Sequence, residues 1–532
     1  MKSGILIFLT FALTSWSCLG QSGSSKVTIL QGPPFKAGKK TSPKQIILSD
    51  NTGVYHYAYE GGISGRGSIL QKFGPDLSFS KAVDQTYSVL DRRLTLRHLV
   101  PFDGSLYALC TRTDYAQSAE NFYACKVDKE TLQNDGFPTS LASIPIKENF
   151  LTVQHGAFEH AISKDESKLL VYSFPPNEVN TSKKINIRVF HEGLKLLWEG
   201  FYELPYEDDM FSTVRLQLGN DGKVYIVAKH YKQRRSLFSV GEPEFDMVII
   251  VFEKDKATPT VHPIEIEDKF VTDAQISVRN DGNIVCAGFY SDRGTGSIKG
   301  SYYLAIDPKS ETTSQLNYQD FDLNFMAMGL SARAEKRMNR NLDRGASYEL
   351  YNYDLRDIIQ RNDGGAILIG EQFKIRVVTH SIPNANGGST THTTRYYHYE
   401  DIIVINMSPT GKTEWQQKIP KNQVTTDDNG MYSSYALKVM KDKIHFIFND
   451  NPRNLYYNGG EALTCAMRTK HTIPLLVTVG KSGEVEREAL RSASEMDYLL
   501  RPKLMTVTGA NEIMFYSTEK KAHRLNRIEF KR

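Results

Sequence analysis

Two carboxylates held a few ångströms apart can carry out general acid–base chemistry on a glycan. Two stretches of this chain offer such groups. Glu371 ends the apolar run "AILIGE" (366–371), and Asp427 and Asp428 lie in "KNQVTTDDNGMYSSY" (421–435). Glu371 and Asp427 are therefore the candidates for catalysis. Between them stands Arg395 followed by the aromatic run Tyr396, Tyr397, His398, Tyr399, and beyond them "NDNPRN" (449–454) supplies Asp450, Asn451, Arg453 and Asn454. Tyrosine rings offer flat apolar area with a polar tip, suited to peptide or carbohydrate contact. His398, Tyr397, Arg395, Asp450, Arg453 and Tyr432 are the expected ligand contacts.

Other chemistries find no frame. His380, His392 and His398 are spaced by 12 and 6 residues, which fits no standard metal motif, so no metal is expected. Asp427-Asp428-Asn429-Gly430 lacks the twelve-residue pattern of a calcium loop and reads as an ordinary turn. Nucleophile elbow, phosphate loop and helix-borne His-Glu-x-x-His are all missing from the sequence, and no cofactor is expected. Whether the chain is an enzyme is left open, with a non-catalytic role preferred.

Basic residues number 65 and acidic residues 61, a balance that argues against a nucleic-acid partner. Residues 1–20 read as a signal peptide: Lys2, then the apolar "GILIFLTFALTSW", then "CLG" before Gln21. The expected location is periplasmic or extracellular. Anchoring as a lipoprotein through Cys18 is the less favoured route, because Trp16-Ser17 departs from a small-residue lipobox. No later segment has the ~20 apolar residues of a spanning helix. Cys110 and Cys125 sit on consecutive apolar runs; a disulfide is permitted outside the cytoplasm, and two buried thiols are the plainer expectation.

The elements that position these residues announce themselves by repetition. Asn-Asp-Gly recurs in "LGNDGKVYIVAKHY", "VRNDGNIVCAGFYS" and "QRNDGGAILIGEQF", at Asp221, Asp281 and Asp363, and weaker copies place turns at Asp50, Asp103, Asp165, Asp442 and near Asn511. Asn or Asp before Gly favours positive φ and a tight hairpin turn. "TVRLQLGNDG", "KVYIVAKHY", "DMVIIVFEKD" and "TPTVHPIEI" make one unit of four strands, and the following unit repeats it. The last unit has three strands, "LMTVTG", "EIMFYS" and "HRLNRIEF", while "KVTIL" (26–30) is an orphan. The predicted fold is all-β: a single β-propeller domain over 21–532 of four-stranded blades. Eight blades are expected, with seven as the alternative, closed by the N-terminal strand pairing with the last blade. A tandem of sandwiches leaves the orphan strand unexplained.

In these features the chain resembles the exported bacterial β-propellers of kelch-like or WD40-like organisation. That resemblance implies a scaffold and carries no particular function. "PTGKTEW" (409–415), with a partial copy around Trp198, is similar to the docking element of eight-bladed quinoprotein propellers; with so few copies, both tryptophans are expected to pack blades, without a quinone.

The repeat is interrupted at 321–354, 375–400, 421–435 and 449–472. By strand order, all four insertions emerge on the face opposite the Asn-Asp-Gly turns, as for a binding site grafted onto a rigid scaffold. In "LSARAEKRMNRNL", Leu330, Ala334, Met338 and Leu342 form a helical apolar stripe. Arg333, Lys336, Arg337 and Arg340 form a basic side that could face an anionic partner. The function expected is a binding module for a protein, peptide or glycan at blades six and seven. The alternatives are a glycan-active lyase or hydrolase on the same face, or an assembly scaffold docking through the basic helix.

Overall fold

The structure is a computed structural model that describes residues 24–531, except 25, 39–40, 63–64, 149–152, 177–180, 235–241, 279–283, 308–311, 346, 384–388, 460, 468–471, 491–498 and 520–521. The signal peptide expected at 1–20, with Cys18, lies outside the described residues. Among those described, no helix is long and apolar enough to cross a membrane.

Eight sheets of four or more strands, antiparallel but for one short parallel pair in the sixth, follow one another along the described chain. Their first strands are Thr41–Asp50, Arg92–Phe102, Ala157–Ile162, Phe211–Leu218, Phe270–Val278, Tyr353–Gln360, Ala436–Met440 and Thr506–Gly509. In each sheet the next strand in sequence pairs beside the first, so every predicted turn falls between a first and a second strand. The turn at Asp281 itself lies outside the described residues. The second sheet gains an extra strand at Tyr87–Val89, and the sixth is enlarged to six strands.

The turn chemistry is visible in the hydrogen bonds. Asp50, Asp165, Asp221 and Asp363 each accept, through Oδ1, the backbone N–H two residues on, at 2.8 to 3.1 Å. This is an Asx turn, and Gly222 and Gly364 complete it with φ of 88° and 98°. The triplet is punctuation that reverses the chain.

Strands buried on both faces must pack against neighbours on both sides. Eight hydrophobic clusters do so, seven shared by consecutive sheets and one by the first and the eighth. Tyr225, Met247 and Ile249 meet Ile276, Cys286 and Tyr302 between the fourth and fifth, and Ile369, Ile402 and Val404 meet Phe446, Leu475 and Val477 between the sixth and seventh. Ile46, Val54 and Phe73 of the first sheet join Met514, Tyr516 and Leu525 of the eighth. The orphan strand, Val27–Gln31, pairs antiparallel with Ala522–Phe530 and becomes the fourth strand of the eighth sheet. Trp198 and Trp415 each reach the next sheet: the Trp198 indole N–H donates to Gly222 O at 3.0 Å and that of Trp415 to Lys481 O at 2.8 Å.

Cys110 and Cys125 are free and buried. Cys110 lies opposite Tyr123 and Cys125 opposite Ala108, so the thiols are diagonal neighbours. The predicted helix forms over Ala332–Leu342, capped by Ser331, with Met338 buried and Arg333, Lys336, Arg337 and Arg340 exposed. A second, shorter helix, Leu323–Ala327, was not foreseen; Asp322 caps it by accepting from Phe325 N at 2.8 Å.

Val27 is buried in the cluster formed with Ile447, Ile528 and Phe530, whereas Leu30 on the same strand is exposed. A carboxylate at position 27 must be taken from water without a partner. Val27→Asp is therefore expected to lower the melting temperature by several degrees and promote aggregation through the bared edge of Ala522–Phe530. Leu30→Asp should stay within about 0.5 kcal/mol of the parent in denaturant unfolding.

Candidate functional site

The four insertions converge on the sixth and seventh sheets. The second and third strands of the sixth sheet, Ala366–Pro383 and Ser389–Met407, run 18 and 19 residues. Their outer parts pair with each other past the body of the sheet and form a hairpin arm. Ser389–Met407 is shared on its other side: its inner half pairs with Thr413–Ile419, while Tyr396–Tyr399 pairs with Gln423–Thr426. Gln423 and Val424 in turn pair in parallel with Ala466 and Met467, from the insertion of the seventh sheet. Three insertions are thus woven into one sheet. The fourth pairs Leu350 and Tyr351 with Ile298 and Ser297, forming a separate two-stranded sheet in the connection between two strands of the fifth.

Beneath the arm lies a buried polar network. Glu371 is fully buried; its Oε1 is 2.8 Å from Lys421 Nζ, and its Oε2 accepts from Ser434 Oγ at 2.7 Å. The Lys421 side chain is also fully buried, and the Arg356 guanidinium stands 3.5 Å from Oε2. Gln423 extends the chain of bonds: Oε1 accepts from Lys421 Nζ and Ser434 N, and Nε2 donates to Asn449 O. Asn449 then donates to Tyr432 O and Leu500 O, and accepts from Leu500 N. The network joins the sixth sheet, the 421–435 insertion, the seventh sheet and the connection to the eighth.

The sequence candidates divide accordingly. Glu371 is enclosed, its carboxylate engaged on both oxygens. Asp427 is exposed and closes a turn: its Oδ1 accepts from Arg395 N at 2.9 Å, and its own N–H donates to Arg395 O at 3.0 Å. Tyr397 is buried and donates to Asn429 Oδ1 at 2.8 Å. Asp428 accepts from Gly430 N, the ordinary turn expected there. Gly430, at φ 64°, lies so close to the Tyr399 ring that a Cβ would come within 2.5 Å of it. His398 is half-buried, with Nδ1 3.5 Å from Glu400 Oε1, and burial holds its pKa below the usual value. Arg453 is exposed on a short 3-10 turn, and Tyr432 lies beneath the Arg501 guanidinium at 5.5 Å.

Asp450 is buried rather than open to ligand. Its Oδ1 accepts from Asn451 N and Asn454 Nδ2, and Oδ2 is 4.0 Å from Arg487 Nη1. Burial pushes Asp450 up to about 6, and burial does the same to Asp401, which accepts from Lys421 N. The residues that sequence reasoning missed are those polar groups with no motif: Lys421, Gln423, Ser434, Asn449, Asp401, Arg487 and Lys503. Lys503 Nζ donates to Tyr399 OH at 2.5 Å, with burial lowering its pKa and raising that of Tyr399 to about 12. Among the described residues no group of three or more potential metal ligands comes together.

No protein-family model matches the chain, and no curated relative matches it. Similar solved structures include the WD40 domain of SCAP from fission yeast, 8% identical, with 95% of this chain and 94% of that one covered and a TM-score of 0.37. They include the polysaccharide lyase Uly1, at 10% identity, 83% and 94% coverage and 0.34. An α-L-arabinanase of Penicillium chrysogenum complexed with arabinobiose gives 10%, 56% and 98%, and 0.29. All three scores lie below 0.5, so the fold description rests on the sheets themselves.

Two predictions follow from the buried charges. Lys421→Met leaves Glu371 buried without its nearer, hydrogen-bonded cation and should cost about 3–5 kcal/mol in denaturant unfolding, much of it recovered in the Glu371→Gln/Lys421→Met double variant. Asp450 binds its proton more tightly in the folded chain, at about 6 against roughly 3.9 unfolded. Its protonated form therefore stabilises the fold below pH ~4, and that contribution is lost as pH rises through about 6. Buried His56 and His445 and half-buried His160, held down to about 4 chiefly by burial, act in the opposite sense over the same interval. The informative quantity is thus a difference. The stability of Asp450→Asn relative to the parent should rise by about 2–3 kcal/mol between pH ~4 and pH ~7, and a flat difference would mean that Asp450 is ionised throughout.

Proposed function

We propose that this chain is an exported eight-bladed propeller, its ring closed by Val27–Gln31, that binds a protein, peptide or glycan through the insertion face of blades six and seven without acting on it. The observation that carries this reading is the arm. It extends the sixth sheet by strands of 18 and 19 residues and leaves Ile375, Val377 and Ile382 49%, 56% and 54% exposed. Exposed apolar residues gathered on one built element mark an interaction surface. Beneath it, Glu371 is held by Lys421 and Ser434, an arrangement suited to fixing the loops rather than to exchanging protons.

A second reading, a glycan-active lyase or hydrolase, draws support from the Lys503–Tyr399 contact, which lies in the field of Arg356. A lysine with a depressed pKa against a tyrosine is a proton-transfer pair. Incubation with acidic oligosaccharides would decide for it if unsaturated or shortened products appear and disappear with Lys503→Met.

Residues 377–395 can be replaced by Asn-Gly, because Arg376 and Tyr396 face each other across the arm and a two-residue turn can join them. The truncated chain should melt within a few degrees of the parent. It should lose at least roughly tenfold in affinity, about 1.4 kcal/mol, for a ligand identified on panels of glycans and extracellular proteins. Equal binding by the truncated chain would move the functional surface elsewhere.

A further inference from the structure

The arm has an open edge. Phe373 N–H donates to Asn352 O at 2.8 Å, and the first strand of the sixth sheet pairs no further than Gln372. Backbone groups alternate sides along a strand, so Ile375, Val377, Thr379 and Ser381 present N–H and C=O to that same side. Among the described residues no strand pairs with them there. An unpaired edge of this length is a template for another strand.

The arm is also one-signed. Residues 374–399 contain Lys374, Arg376, Arg395, His380, His392 and His398 and no Asp or Glu. With 61 acidic residues in 532, about three would be expected in a stretch of this length at average composition. Because side chains alternate between faces, Lys374, Arg376 and His380 share one face with His392 and His398, their neighbours across the arm. Ile375 and Val377 occupy the other. Lys374 is 3.1 Å from Glu400; Arg376 has no carboxylate within ion-pair distance among the described residues.

Resting on the binding role given to this face, we infer that the open edge of the arm takes an extended acidic segment of a partner protein, adding it as a further β-strand. The backbone bonds come from Ile375, Val377, Thr379 and Ser381. Acidic residues at every second position of the segment lie on the Lys374–Arg376–His380 face, and apolar residues between them cover Ile375 and Val377. This is strand addition, in which main-chain bonds supply affinity and alternate side chains supply specificity. A second copy of the arm is disfavoured as occupant, because it would set cationic strands side by side.

The test uses the full mature chain with two labelled peptides, one alternating glutamate and valine, the other alternating lysine and valine, followed by fluorescence anisotropy. The glutamate peptide should bind at least about tenfold more tightly, weaken with salt, and slow hydrogen exchange at Ile375, Val377 and Thr379. Val377→Pro removes an N–H that points away from the arm's own partner strand, so the arm persists. It should reduce binding roughly tenfold, the effect of one lost hydrogen bond. Arg376→Glu should narrow or reverse the preference between the peptides. Equal binding of the two peptides, indifference to Val377→Pro, or self-association through this edge would each overturn the inference. So would an acidic oligosaccharide that displaces the peptide and is itself insensitive to Val377→Pro. If truncation of the arm abolishes ligand binding while Val377→Pro leaves peptide binding unchanged, the binding face stands and strand addition falls; if truncation has no effect, the binding face itself falls.

Discussion

The insertion face depends on one buried ion pair. Glu371 ends its run against the sixth sheet at a bulge, where Glu371 faces Ile402 and Phe373 faces Tyr399. Lys421 reaches it from the insertion that follows the sheet. Neither side chain touches water. Such a pair adds little stability over an apolar replacement, because removing two charges from water offsets most of their attraction. It does fix geometry. With Lys421 shared between Glu371 and Gln423, and Ser434 bonded to Glu371 and Gln423, the path of 421–435 has little freedom.

That constraint supports local strain. Asp427, Asn429 and Ser434 all adopt positive φ, at 52°, 55° and 70°. Non-glycine residues hold this conformation only where surrounding contacts over-determine it. Here each is tied down: Asp427 to Arg395, Asn429 to Tyr397, Ser434 to Glu371 and Gln423. The insertion in turn grips the base of the arm at Arg395 and Tyr397. A hairpin of this length alone would be marginal in water; clamped at its root, it can project with a defined direction.

The sheets were legible in the sequence because their turns carry local chemistry. An aspartate whose carboxylate bonds the amide two residues on, as at Asp50, Asp165, Asp221 and Asp363, leaves its mark within four letters, and the other turn positions follow from their likeness to these. The orphan strand was legible by counting, since three strands at one end need a fourth. The helix over Ala332–Leu342 was legible from its stripe; Leu323–Ala327 is too short to display a period. The site was less so. Glu371 stands out in the sequence as a catalytic candidate because its strand end is visible and Lys421, fifty residues away, is not visible as its partner. Pairing between Gln423–Thr426 and Ala466–Met467 is non-local and has no motif, since strand pairing is decided by which edges the scaffold brings together. Asp450 looked like a ligand contact for the same reason: the Asn454 and Arg487 groups that enclose it come from a turn and a distant strand.

Where charges are buried bears on what the face can do. A site that exchanges protons needs at least one titratable group in contact with its ligand, with a pKa matched to the task. In the network below the arm, the most perturbed carboxylates, Asp401 and Asp450, are enclosed, and Glu371 is saturated. The groups left toward solvent above them include Lys374, Arg376, Arg395 and Asp427, the imidazoles of His380 and His392, and the apolar Ile375 and Val377. Glu371, Asp401 and Asp450 lie inward, where they hold the loops, while the arm above carries Lys374, Arg376 and Arg395 and no Asp or Glu between residues 374 and 399. On the proposed binding role, long-range attraction selects anionic ligands before contact, and a pre-formed edge lowers the ordering cost that an extended segment meets on arrival. The same buried pair that rigidifies the rim thereby separates the charges of this region into an inner structural layer and an outer one that can meet a partner.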